Sequence, residues 1–206
     1  MLEYPQLMSH FAKTKWLLGI DEVGRGPLAG PITLGGVLVK RSNFLKVIPN
    51  KLKDSKKLTS DERVSHLRNF HKLRKDGKLS FAVSSVSNLK IDSHGLTWSV
   101  NFAIANLLKK LNCDPRNISV LLDGKLYAPK DFIYQQTFIR GDERFPIIAM
   151  ASIVAKVHRD RYMTRLSALY PEYGFESHKG YGTRAHYAAI KKFGLSPIHR
   201  KTFLGP

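Results

Sequence analysis

The chain has 206 residues, 43% of them hydrophobic, which supplies a core of single-domain size and excludes a disordered polymer. Lys and Arg number 34 against 16 Asp and Glu, a formal charge of +18, so a polyanionic partner, nucleic acid above all, is favoured over a merely solvated basic surface. No apolar run approaches the ~20 residues that cross a bilayer, residues 1–15 lack the apolar stretch of a secretory signal, and the lone Cys113 excludes an internal disulfide framework, so a reducing cytoplasm is the expected setting.

Residues 16–20 read as a short buried strand that ends in Asp21 and Glu22. Residues 24–30 must turn. Residues 31–39 read as a second strand, with Gly35-Gly36 marking a bulge or a close backbone approach. Two strands this near in sequence most simply pair as a hairpin. Thr59 with Glu62 three residues on forms a capping box, opening a helix that runs to about Lys75 and stops at Gly77. Residues 79–86 read as a strand. Residues 96–111 read as a helix with Val100, Ala103, Ile104, Leu107 and Leu111 on one face. Residues 118–122 form a compact apolar strand ending in Asp123-Gly124, and residues 132–139 a further strand before Gly141-Asp142. Residues 147–169 are a long helix closed by Pro171, and residues 183–193 a last helix capped by Thr183 and ended by Gly194. Strands first and helices last predict a mixed α/β sheet with a helical C-terminal portion, in one compact domain without repeats or linkers. Residues 196–206 read as a flexible tail or a strap across the fold.

Acids are scarce here, so their placement is informative. Asp21 and Glu22 follow one apolar run and Asp123 another, each where a buried strand reaches a sheet edge. An unpaired carboxylate in such a place is costly. A divalent cation offsets that cost, and hard ions such as Mg²⁺ prefer oxygen ligands. Each acid also has a plainer reading. Asp123-Gly124 alone is an ordinary turn, Asp21-Glu22 an ion pair with a lysine, and Asp142, inside Arg140-Gly141-Asp142-Glu143-Arg144, a solvated loop charge. Together in a basic protein they put a metal site on an equal footing with those readings. Three or four such carboxylates can hold two Mg²⁺ or Mn²⁺ ions roughly 4 Å apart and hydrolyse a phosphodiester.

The segment Asp21-Glu22-Val23-Gly24-Arg25-Gly26-Pro27-Leu28-Ala29-Gly30-Pro31 closely resembles the N-terminal signature of type 2 ribonuclease H, ribonuclease HII. The similarity continues, in the family's order, through Asp54-Ser55-Lys56-Lys57-Leu58, Leu122-Asp123-Gly124, Gly141-Asp142, the block from Ala151 to Asp160, and His178-Lys179-Gly180-Tyr181-Gly182-Thr183. This resemblance implies an RNase H-like fold, with a mixed central sheet, flanking helices and a C-terminal helical part from about residue 170 that contributes to substrate binding. It implies cleavage of RNA in RNA–DNA hybrids and incision 5′ of a single ribonucleotide embedded in duplex DNA, leaving 3′-hydroxyl and 5′-phosphate ends. Asp21, Glu22, Asp123 and Asp142 map onto the four acids of the family site, which uses Mn²⁺ or Mg²⁺.

The resemblance assigns Gly24, Arg25 and Gly26 to reading the ribonucleotide 2′-hydroxyl. Glycine suits that role because it lets backbone donors and acceptors approach the sugar. Tyr181 matches the tyrosine that stacks on the neighbouring deoxyribose. Lys56, Lys156 and Arg159 read as phosphate contacts, the latter two sharing a helix face, His158 as non-catalytic and Asp160 as a salt-bridge partner. Glu143 and Met150 stand where the family commonly has alanine. The lack of an added N-terminal domain points to type 2 rather than type 3, and a monomer is expected. Two rivals stay open: another metal nuclease of this fold, such as an integrase or a Holliday-junction resolvase, would cut DNA lacking any ribonucleotide, and a non-catalytic binder would cut nothing.

Overall fold

The computed structural model describes residues 14–49, 52 and 58–205; Lys56 and the rest of its motif up to Lys57 lie outside them. At the centre is a five-stranded sheet in the order β3-β2-β1-β4-β5. Strand β1 (Trp16–Val23) pairs antiparallel with β2 (Ile32–Lys40), which pairs antiparallel with β3 (Leu79–Val86). On its other side β1 pairs parallel with β4 (Ile118–Asp123), and β4 parallel with β5 (Gln135–Phe138). The expected hairpin and mixed sheet are therefore present.

Helices cover both faces. One core layer joins Leu17, Val37 and Leu121 of the sheet to Leu67 and Phe70 of α2 (Ser60–Lys75) and to Ile147, Ile153 and Val154 of the long helix α6 (Pro146–Leu169), with Phe44 of the short α1 (Phe44–Val47). The opposite layer joins Leu18, Ile20 and Leu34 to Ile91 of α3 (Asn88–His94) and to Val100, Ile104 and Leu107 of α4 (Leu96–Lys110). Successive strand residues face opposite ways, so Leu17, Gly19 and Asp21 share the α6 side and Leu18 and Ile20 the α4 side.

Gly19 and Gly35 let α6 rest directly on the strands. A Cβ at Gly19 would overlap the Ile147 carbonyl, and one at Gly35 the Ala151 carbonyl. Gly35 lies opposite Asp21 in the β1–β2 register. The double glycine is thus a close approach rather than a bulge, with Gly36 admitting Leu107 on the other face. The capping box forms as read: Glu62 N donates to Thr59 Oγ1 at 3.2 Å and Thr59 N to Glu62 Oε2 at 2.7 Å.

Several boundaries differ from the sequence reading. Strand β1 continues through Asp21 and Glu22 to Val23, and β4 includes Asp123, so these acids belong to strands rather than following them. Strand β5 is only four residues long. Its first residue, Gln135, turns its side chain back to the Ala128 amide and carbonyl at 2.8 and 3.1 Å, which ties down the preceding loop, while Phe132 enters the α4-side core instead of the strand. Helix α3, capped by Ser87 and stopped by Gly95 at φ 80°, was not expected from the pattern.

A third, smaller cluster of Ala29, Met163, Leu166, Tyr173 and Phe175 seats the C-terminal portion, which includes α7 (Phe175–His178) and α8 (Arg184–Phe193), against the end of α6. Residues 196–203 run as a strap over the turn that follows β1: Gly30 N donates to the Ile198 carbonyl at 2.9 Å and Arg200 N to the Leu28 carbonyl at 2.8 Å. Among the described residues no helix is long and apolar enough to cross a membrane.

Candidate active site

The parallel β1 and β4 end side by side, and their last residues bring Asp21, Glu22 and Asp123 to the same sheet edge. Asp142 joins them from the short helix α5 (Gly141–Arg144). The link is covalently remote but physically direct: Asp123 Oδ1 accepts Gly141 N at 2.6 Å and Asp142 N at 3.3 Å. The carboxylate of one acid thereby anchors the loop that carries the other. Asp142 is only 3% exposed, so it is not the solvated loop charge that the surrounding sequence suggested. Its neighbour Glu143 turns outward to Arg140.

Asp21 is 5% exposed and lies beneath α6, hydrogen-bonded to Ser152 and accepting Glu22 N at 2.7 Å. Burial first, then the charges of Asp123 and Asp142, raise its pKa from 3.8 to about 7, against the opposing pull of the Ser152 and Glu22 hydrogen bonds. Glu22 is half-buried and pairs with the more exposed Arg25 at 3.0 Å.

The turn after β1 is held rigidly. Gly24 has φ 87°, and a Cβ there would collide with the Arg159 side chain, so only glycine fits. Gly26 differs: nothing lies within 4 Å of where its Cβ would be. Arg159 is not a phosphate contact on a shared face with Lys156. It is fully buried and donates to the carbonyls of Pro31, Lys179 and Ala29 at 3.0, 3.0 and 3.2 Å. The α6 face that carries it is covered by the turn and by the C-terminal portion, a tertiary contact that helical spacing does not reveal. Lys156 does reach the site, paired with Asp160 at 2.8 Å.

Asp21, Glu22, Gly24, Arg25, Gly26, Asp123, Asp142, Lys156 and Tyr181 all line one pocket of about 400 Å³, together with Ser152 and Arg63. Tyr181 stands 42% exposed at its rim, 5.9 Å from the Arg159 guanidinium. Arg63 also lines a larger adjoining groove of about 690 Å³ between α2 and α6, edged by His158, Arg161 and Arg165. Sequence reasoning missed Ser152, Arg63 and the buried Arg200, and gave Arg159 the wrong partner; Ser152 carried a signal, since it lies in the block that resembles the family.

These donors suit a hard divalent cation. All are carboxylate oxygens, and Asp21, buried beneath α6, resists ionising because burial strips its solvation and, after that, because its neighbours are also negative. Among the described residues no three of these acids are close enough together to form a finished chelate. A divalent ion removes both penalties at once.

The family model for ribonuclease HII matches residues 18–204. A ribonuclease HII of Clostridioides difficile (strain 630) is 40% identical over 186 residues, covering 90% of this chain and 69% of that one. The crystal structure of the ribonuclease H2 from Pyrococcus horikoshii OT3 superposes with a TM-score of 0.69 at 27% identity, covering 91% of this chain and 93% of that one. Bst-RNase HIII, solved in complex with Mn²⁺, shares the fold at a TM-score of 0.63 and 18% identity, covering 91% of this chain and 66% of that one. The chain belongs to the ribonuclease HII family and is a ribonuclease H endonuclease, a divalent-metal-dependent hydrolase acting on RNA–DNA hybrids.

Proposed function

We propose that this ribonuclease incises duplex DNA on the 5′ side of a single embedded ribonucleotide, besides cutting the RNA strand of longer hybrids, and leaves 3′-hydroxyl and 5′-phosphate ends. The observation that carries the reading is the gathering of four acids, the Gly24-Arg25-Gly26 turn, Lys156 and Tyr181 around one pocket. Asp21, Glu22, Asp123 and Asp142 are the residues that would hold the metal, two Mn²⁺ or Mg²⁺ ions in the loaded complex. Lewis-acid activation of a water and neutralisation of charge at the scissile phosphate would be supplied by ions bound there. The chain's own residues do the rest. The turn meets the 2′-hydroxyl with its backbone, and Tyr181, exposed at the rim, stacks on the adjacent deoxyribose. Lys156 and Lys56 contact phosphate, and the basic groove beyond Arg63 continues the path for the backbone. Ser152 holds the Asp21 carboxylate in place.

The protein works as a monomer of one RNase H-like domain, residues 1–206, in the cytoplasm. The test is cleavage of a duplex carrying one ribonucleotide beside an all-DNA duplex, with and without Mn²⁺. Cutting of the first alone, only with metal, and with products that a polymerase extends directly is the expected result. Equal cutting of the all-DNA duplex would identify an integrase- or resolvase-type nuclease instead, and tight binding without cutting a non-catalytic binder.

A further inference from the structure

The strap brings to the turn a second guanidinium that the steps above do not use. Arg200 is fully buried and donates to three main-chain oxygens, those of Gly24 at 2.6 Å, Arg25 at 2.9 Å and Gly30 at 2.9 Å. The peptides here are trans, and a planar trans peptide points its N–H opposite to its C=O. The Gly24 carbonyl shares its peptide with the Arg25 N–H, and the Arg25 carbonyl with the Gly26 N–H. With both oxygens turned toward the guanidinium, both N–H groups face away from it, where Arg25 and Gly26 line the pocket. Among the described residues neither N–H finds a protein acceptor.

This arrangement is costly. Arg200 and Arg159 are buried near one another, and their hydrogen-bond acceptors are six main-chain oxygens rather than carboxylates. Burial and the Arg159 charge lower the Arg200 pKa to about 10, which leaves it protonated at neutral pH. A cation buried without a carboxylate is poor value for stability alone; what it shapes is the turn.

The strap is fixed in its own right. Asn88 Nδ2 donates to the His199 carbonyl at 3.0 Å, and Asp92 accepts Lys201 N at 3.0 Å and Thr202 N at 3.1 Å. Inside, Ser196 N donates to His199 Nδ1 at 2.9 Å, the Nε2 atoms of His199 and His186 meet at 3.0 Å, and His186 Nδ1 reaches the Tyr181 carbonyl at 3.0 Å. Only one tautomer of each ring satisfies that series: His199 protonated on Nε2 and His186 on Nδ1. One hydrogen-bonded chain thus runs from the strap to Tyr181, while the next residue grips the turn.

We infer that Arg200 is a positioning residue for ribonucleotide recognition, turning two successive peptides so that the Arg25 and Gly26 N–H groups stand ready as a donor pair for a sugar oxygen, with His199 tying the same strap to Tyr181. The inference rests on the proposal that this turn meets the 2′-hydroxyl. It is tested by turnover on the single-ribonucleotide duplex, and by metal-free anisotropy measurements of that duplex and its all-DNA counterpart. Wild type, Arg200→Lys and Asp92→Ala are compared. Lysine keeps the charge but not the fork of donors, and Asp92→Ala unpins the strap from a half-buried position outside the pocket. Arg200→Lys is expected to lower kcat about 100-fold, as a small misplacement of a recognition group does, and to erase the preference for the ribonucleotide duplex. Affinity for all-DNA should stay within about 2-fold, because phosphate contacts are untouched. Asp92→Ala should show the same pattern more weakly. A folded Arg200→Lys protein with wild-type kcat and preference overturns the inference, as does equal weakening toward both duplexes. If Arg200→Lys fails to fold, wild-type behaviour of Asp92→Ala overturns it. Wild-type protein that ignores the ribonucleotide overturns the underlying proposal instead.

Discussion

Replacing Asp21 by asparagine should strengthen the fold while destroying the enzyme. In the folded chain Asp21 keeps its proton up to a pKa of about 7, whereas the unfolded chain releases it near 3.8. Between those values the folded state binds more protons, so the Asp21 contribution to stability declines as pH rises from about 4 to about 7 and then levels off. The gap between 3.8 and about 7 corresponds to a penalty of as much as about 4 kcal/mol at pH 8. Asparagine is nearly isosteric, keeps an oxygen for Glu22 N, and carries no charge to desolvate. Urea unfolding in a chelating buffer should therefore show Asp21→Asn more stable than wild type, by under about 2 kcal/mol at pH 5 and by up to about 4 kcal/mol at pH 8. Mn²⁺ should then stabilise wild type by mass action and leave the variant nearly unmoved. A variant no more stable than wild type at pH 8, or a gap that does not widen with pH, would refute the reasoning.

Gly26→Ala should fold normally, since its Cβ meets nothing within 4 Å, yet lose roughly 10-fold or more in kcat/KM on the ribonucleotide duplex as the methyl intrudes on the pocket. Gly24→Ala, at φ 87° against Arg159, should lose more than about 1 kcal/mol in urea unfolding. Lys156→Gln should weaken binding equally for all sequences and reduce the slope of log affinity against log salt by about 1, with kcat unchanged. His199 is held neutral in the fold, its pKa lowered from 6.5 to about 4 by burial and then by His186. Its contribution is present above about pH 6.5 and is lost as pH falls toward 4, the opposite sign to Asp21; in the Asp21→Asn background the urea midpoint should drop over that range.

Much of this was legible in the sequence because the signals were local. The hairpin follows from two apolar runs joined by a glycine-rich turn, and the capping box from Thr59 and Glu62 alone. The strand-end acids stood out because acids are rare in a basic chain. What was not legible depends on contacts between distant segments. Asp142 looked solvated because Arg140, Glu143 and Arg144 surround it, and only the Asp123 carboxylate draws it inward. Arg159 shares a helix with Lys156, yet the turn that buries it lies more than a hundred residues away in the chain. Arg200 sits in a segment that reads equally as tail or strap, and no periodicity marks a side chain whose partners are carbonyls.

The bare joint between α6 and the sheet has a wider consequence. At Gly19 and Gly35 no side chain separates the strands from the helix backbone, so its height above the strands acts as a gauge. Ser152 and Lys156 hang from it over the acids, while Arg159 and Met163 abut the turn at Gly24 and Gly30. A spacer as thin as one methyl would be transmitted along the whole helix and would change the separation between the cutting and the reading halves of the pocket. Two residues that contribute no chemistry of their own thereby calibrate the instrument.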